Sequence, residues 1–297
     1  MNTNQVLSDY LTYLIAQDKS HHTIANFTRD IRHFLESFES TELASVVPSD
    51  VDRFLVSVST KTDGSPKHSN TLNRTKTALR SFFTWTHRNG MLTSNPAEHL
   101  HIKRVDRLPP VYLTDEEEKR LLDCLCNHPR KPHQQRDFTI IRLLLDTGIR
   151  VGELVQIDLS DIDGKHLIIR RQKGGSPIRK FLPSITRQTI ADYIASKRSS
   201  YSAKRGSNAL FLNQSGQRMH SRAIQLLTQK WVLLAGINKP ITPHKLRHTF
   251  ATSLYAKSRD ILAVQKALGH RSVVNTQIYA HVSDESLEVS LENRSSD

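Results

Sequence analysis

The sequence of 297 residues predicts a mainly α-helical chain with one small β-sheet, split into an all-helical first part and a mixed second part. Three observations carry that reading. Apolar residues recur at helical spacing through the first hundred positions, a charged stretch bearing Pro109-Pro110 breaks the pattern, and alternation about Gly174-Gly175-Ser176-Pro177 marks a β-hairpin further on.

The segments "VLSDYLTYLIAQ", "HTIANFTRDIRHFLESF", "SDVDRFLVSV" and "TLNRTKTALRSFFTWTHRNG" each place their apolar residues on one helical face. Asn89-Gly90 stops the fourth, in which Leu79, Phe82 and Phe83 are expected core, joined by Met91 beyond it; Trp85 is not allotted. "HIKRVDRLPPVYL" cannot continue a helix or join a sheet, so residues 1–100 form a first domain, 101–111 a linker and 112–297 a second domain. Thr114 followed by Glu117 is a capping box that opens the next helix. "DFTIIRLLLDTG" reads as a helix leading into "IRVGELVQIDLSDID", and "KHLIIRRQKGGSPIRKFLP" is the hairpin. Helices follow in "SITRQTIADYIAS", "SRAIQLLTQKWVLLAG", "TPHKLRHTFATSLYA", "DILAVQKALG" and "SVVNTQIYAHV".

Forty-two Lys and Arg against twenty-nine Asp and Glu leave a formal charge of +13, which points to an anionic partner, nucleic acid first. Residues 1–107 carry a net +2 and residues 108–297 a net +11, so the second domain should make the tighter phosphate contacts. Cys124 and Cys126, two apart on one expected helix, cannot form a disulfide framework, which fits a reducing cytosol. The first twenty residues lack the basic flank of a secretory signal, and no run of about 18 apolar residues is present to span a membrane.

The stretch "ITPHKLRHTF" carries the chemistry. His244 and His248 at i and i+4 suggest a metal site, but Lys245 stands where a zinc hydrolase of the His-Glu-x-x-His type needs its glutamate, and Arg247 adds a cation within a turn. His244 and Arg247 at i and i+3 suggest instead a grip on phosphate: the guanidinium donates paired hydrogen bonds and the imidazole moves a proton. Upstream, Gly148 ends one helix and Arg150 starts the next, near backbone N–H groups that favour an anion. Downstream, His270 follows a glycine, and Tyr279 comes nine residues later.

Taken in this order, "TGIRVGEL", "HKLRHTFAT", "LGH" and "TQIYAHV" resemble the catalytic motifs of the tyrosine recombinase (phage integrase-type, Xer-like) family. "HHTIANFTRDIRHFL" and "ALRSFFTWTHRNG" resemble its N-terminal core-binding, SAM-like domain. The resemblance implies a two-domain clamp around duplex DNA. It makes Tyr279 the nucleophile that forms a 3′-phosphotyrosyl bond, Arg150 and Arg247 the clamp on the non-bridging oxygens, His244 an aid to proton transfer, and His270 a hydrogen-bond donor to the same phosphate. A hairpin lysine, Lys173, would protonate the leaving 5′-oxygen. Gln172 before it and Pro177 after it depart from the usual Gly-Lys-Gly-x-x-x-x-Arg pattern and leave Lys180 as the second candidate. No metal or cofactor is chemically required, because the tyrosyl link keeps the phosphodiester energy.

Each residue also has a plainer role open to it. Tyr279 could be a core tyrosine, Arg150 could pair with Asp146, His270 could cap a helix, Glu153 could orient a neighbour, and His248 could be a buried, hydrogen-bonded histidine. By resemblance the partners are double-stranded DNA with specific sites and a homotetramer, or a hetero-tetramer with a related recombinase, in the cytoplasm on the nucleoid. The tail "AHVSDESLEVSLENRSSD" would dock into a neighbouring subunit. A type IB topoisomerase and a catalytically silent DNA-binding regulator are the alternatives. The DNA site and the biological role, chromosome dimer resolution or mobile-element resolution and integration, are not in the sequence.

Overall fold

The computed structural model describes residues 3–38, 42–61, 63–103, 110–128, 133–170, 177–202, 206–269, 276 and 279. The chain forms two compact units, Met1–Arg107 and Leu108–Asp297.

The first unit is built from α1 (Thr3–Ala16), α2 (His21–Ser37), α3 (Pro48–Ser57) and α4 (Ser69–Arg88). Each helix starts within three residues of where its apolar periodicity starts. Ser20 caps α2 by accepting the Thr23 N–H at 3.1 Å, and Pro48 stands in the first turn of α3, where its missing N–H costs nothing. The apolar faces meet in a core of Tyr10, Leu14, Ile31, Phe34, Phe54, Leu79, Phe82 and Phe83. Trp85 belongs to that core at 8% exposure, tilted against Tyr10, while Met91 packs at its margin. Among the described residues of this unit the buried charged side chain is Asp30, held by Nε and Nη2 of Arg74 at 3.0 and 3.3 Å and by Thr75.

The second unit opens on α5 (Asp115–Asn127). The Thr114 hydroxyl accepts the Glu117 N–H at 3.2 Å, and the Glu117 carboxylate accepts the Thr114 N–H at 2.9 Å, closing the capping box. α6 (Gln134–Thr147) is buried almost all round, Arg136 and Asp137 included, and runs through the core, ending at Gly148 with φ +58. A short α7 (Val151–Leu154) follows. Strands β1 (Ile162–Asp163), β2 (His166–Ile169) and β3 (Ile178–Phe181) form one antiparallel sheet in the order β1-β2-β3, with Leu167 opposite Lys180 and Ile169 opposite Ile178. The hairpin expected from alternation is therefore β2-β3, and the two-residue β1, too short to show a pattern, extends it.

After the sheet come α8 (Ser184–Tyr193), α9 (Ser199–Ser202), α10 (Ser221–Leu234), α11 (Pro243–Ser258) and α12 (Ile261–Leu268). Their core centres on Trp231, whose indole N–H donates to Asp137 at 2.9 Å; the other Asp137 oxygen accepts from Arg136, so the buried carboxylate is fully used. No helix among the described residues is long and apolar enough to cross a membrane. The expected final helix "SVVNTQIYAHV" and the tail lie outside the described residues apart from Thr276 and Tyr279.

Candidate active site

α11 supplies the centre of the site. Thr242 accepts the Lys245 N–H at 3.4 Å and Pro243 begins the helix, which fixes the register of the first turn. At 3.6 residues per turn Arg247 then points inward, at 2% exposure, while His244 stays at the surface with its ring 4.6 Å from that of the half-buried His248.

Arg247 Nη1 donates to the Gly148 carbonyl and Nη2 to the Leu268 carbonyl at 2.8 Å. Both acceptors close helices, α6 and α12, so the guanidinium sits at the negative ends of two helix dipoles. Even so, burial and the neighbouring Arg150 push its pKa down to about 10. Arg150 is the residue before α7. Its N–H donates to Glu153 at 2.8 Å and its Nη1 to the same carboxylate at 3.1 Å, so Glu153 orients it while the side chain remains 49% exposed. The alternative partner, Asp146, is taken by Arg142 at 2.7 Å and by Thr186.

Lys180 occupies the inward position of β3, against the usual order, because Lys180 is buried and its neighbour Phe181 is 61% exposed. Its Nζ donates to the Ala267 carbonyl, one residue from the acceptor Arg247 uses. Burial first, and the charges of Arg247 and Arg150, bring its pKa down to about 8 against the pull of Glu153.

Tyr279 is 2% exposed and packs on Ala251, Val264 and Leu268. Its N–H donates to the Thr276 carbonyl at 3.0 Å, and its hydroxyl lies 2.8 Å from His248 Nδ1. Burial holds the phenol above its usual range, opposed by Arg247 and Arg150. Partial desolvation, with the same two arginines, lowers the His244 imidazole.

Arg150, His244, Arg247 and Tyr279 thus stand around one locus, and Lys180 stands with them. Lys173 and His270 lie outside the described residues. His248 is the contact that sequence reasoning did not assign to the chemistry; its signal is its place four residues after His244, on the same face of α11. Among the described residues there is no group of three His, Cys, Asp or Glu side chains able to hold a metal.

Among the described residues, three cations and one carboxylate leave the locus short of negative charge, and the fold carries the cost. A folded-state pKa near 8 for Lys180, below the unfolded value, means that the protonated lysine destabilises the fold below pH 8, with relief as pH rises from about 8 to about 10.5. Lys180→Met should therefore stabilise the protein by about 1–2 kcal/mol at pH 7, after allowing for the lost Ala267 hydrogen bond. The gain should vanish toward pH 10.5; denaturant titrations at the two pH values check it, and a variant less stable than the parent at pH 7 would refute it.

Residues 111–286 match the phage integrase family and residues 7–90 match the N-terminal SAM-like domain of phage integrases. The chain is 32% identical to tyrosine recombinase XerC of Oceanobacillus iheyensis, covering 97% of this chain and 95% of that protein. It is 30% identical to tyrosine recombinase XerC of Pelotomaculum thermopropionicum, covering 95% and 94%. Its fold matches a crystal structure of the XerH site-specific recombinase bound to a palindromic difH substrate after cleavage, with a TM-score of 0.74 and 22% identity over 93% of this chain and 81% of that one. With two domains of the expected kinds in the expected order and relatives matched almost end to end, the chain belongs to the phage integrase family and is a tyrosine recombinase, an enzyme that breaks and rejoins DNA strands.

Proposed function

We propose that Tyr279 attacks a scissile DNA phosphate to give a 3′-phosphotyrosyl intermediate and a free 5′-hydroxyl, and that strand exchange between two specific DNA sites follows. The observation that carries this reading is the convergence, among the described residues, of Arg150 and Arg247 on the Tyr279 phenol, with Lys180 and Glu153 beside both arginines. Such a locus is stabilised by an entering phosphate, and most by the transition state, in which charge on the non-bridging oxygens is greatest. Arg150, half exposed and oriented by Glu153, meets the phosphate first. Among the described residues Arg247 gives two of its five N–H donors to the helix ends, and the others supply the second contact. His244 assists proton transfer at the open side. Lys173 protonates the leaving oxygen and His270 hydrogen-bonds the phosphate, as the family resemblance implies.

The excess of +11 in residues 108–297 supports strong phosphate contacts by the catalytic domain and work on the nucleoid in the cytoplasm. Four protomers and two duplexes make the proposed synaptic complex. Its subunits are linked by the C-terminal tail, in which Leu287, Val289 and Leu291 form an apolar patch among acids. Deleting residues from 283 onward should leave binding to a single site intact and lower the cooperativity of assembly in a gel-shift titration; unchanged cooperativity would remove the tail from the assembly.

The chemistry is tested with a duplex that the protein itself selects from a randomised oligonucleotide pool, nicked near the cleavage position to trap the intermediate. A denaturation-resistant protein–DNA adduct is expected. Its absence on DNA that is demonstrably bound would favour a silent DNA-binding regulator. Joining of two separate duplexes distinguishes a recombinase from a topoisomerase that relaxes one.

A further inference from the structure

We propose that His248 is the group that accepts the Tyr279 phenol proton during strand cleavage and returns it during rejoining. This rests on the reading of Tyr279 as nucleophile and adds a residue to it.

The geometry is direct. His248 Nδ1 lies 2.8 Å from the Tyr279 oxygen, a normal hydrogen-bond length, and the two rings stand 5.6 Å apart. His248 is held on a sixteen-residue helix and is half-buried, so its ring is not free to leave, whereas His244 lies at the exposed end of the cluster. The His244 ring packs edge-on against His248 at 4.6 Å, placing His248 between His244 and the phenol. Among the described residues, Arg247 on α11 and Arg150 at α7 act on the phenol and His244 packs on His248, with Glu153 and Lys180 beside the two arginines. The proposed role uses the Nδ1 lone pair facing the phenol, with the ring proton on Nε2. A tyrosine only 2% exposed is a poor phenolate in its own right and needs an acceptor within reach.

The step balances. As the Tyr279 oxygen bonds to phosphorus, its proton passes to His248 Nδ1. The bond from phosphorus to the 5′-oxygen breaks, and that oxygen takes a proton from the acid on the leaving-group side. In rejoining, the 5′-hydroxyl returns its proton to that same group as it attacks phosphorus, the tyrosyl bond breaks, and the His248 imidazolium restores the phenol.

The test uses the full chain and the self-selected nicked duplex, prepared with sulfur in place of the bridging 5′-oxygen. A thiolate leaves without an acid, so the rate of adduct formation reports activation of the nucleophile alone. His248→Ala should slow adduct formation at pH 7 by about 10²–10³-fold. The deficit should shrink as pH rises, because the growing fraction of phenolate needs no acceptor. His248→Asn, which keeps a hydrogen-bonding group near the Nδ1 position without a proton-accepting nitrogen, should retain the parent melting temperature and DNA affinity yet stay slow. Parent rates in His248→Asn would overturn the proton-transfer role and leave only positioning; parent rates and an unchanged pH profile in His248→Ala would overturn both. Failure of the underlying reading looks different: an adduct that persists in Tyr279→Phe, or none with the parent protein.

Discussion

Tyr279→Phe is expected to abolish covalent capture of nicked DNA, lowering adduct formation by more than about 10³-fold, since no hydroxyl is left to bond to phosphorus. The same variant should bind DNA with unchanged affinity and unchanged salt dependence. The phenol is 2% exposed, so phosphate contacts in the ground state belong to the arginines and lysines around it. Stability should fall by only about 1 kcal/mol, because the ring remains packed on Ala251, Val264 and Leu268 and the one hydrogen bond lost is that to His248. A gel resolving the denatured adduct, with a filter-binding titration beside it, measures both quantities. Residual capture at a tenth of the parent level would assign the nucleophile elsewhere.

The largest effect on stability is expected at a residue that does no chemistry. Gly148→Ala meets two obstacles. A φ of +58 costs an L-residue about 1–2 kcal/mol, and a Cβ built there would lie 2.3 Å from Cδ1 and 2.9 Å from Cε1 of Phe250. The Phe250 ring must move, and with it the α6–α11 contact that aims Arg247. Together these should cost about 3–5 kcal/mol and lower Tm by about 6–20 °C. Gly90→Ala is the control: its φ is +70, but nothing lies within 4 Å of the added carbon, so about 1 kcal/mol is expected. Equal melting points for the two variants would mean that the Phe250 contact contributes nothing. Because the Gly148 carbonyl accepts from Arg247, the variant that remains folded should also lose activity.

How much of this was legible beforehand depends on which physical signal each element leaves. Amphipathic periodicity located the helices, since burial of one face is what makes them form, and capping chemistry located the start of α5 at Thr114. Trp85 could not be allotted because an amphipathic indole suits either a margin or a core; only its packing on Tyr10 settles it. The two-residue β1 leaves no alternation to read. Within β3 the pattern misleads, since polarity argues for Phe181 inside and Lys180 outside, and the register of the sheet imposes the reverse. The site motifs were readable as an ordered set of residue types. The acceptor chosen by Arg150 was not, because Asp146 and Glu153 are both within reach in sequence and the break at Gly148 decides between them. The pairing of His248 with Tyr279 joins positions 31 apart and has no local signature.

Arg247 and Lys180 tie down the end of α12 through the carbonyls of Leu268 and Ala267, which are main-chain atoms. A carbonyl is present whatever amino acid occupies the position. The anchorage therefore makes no demand on the side chain at 267, while Leu268 is held by its packing with Tyr279 and the two cations are tied to their places by geometry. This separates what can drift from what cannot. The surface of α12, including the 60% exposed Leu262, can be rewritten to suit a new neighbour while the backbone leading to the tyrosine stays fastened at the same point. A recombinase built this way can change the company it keeps without relearning its chemistry.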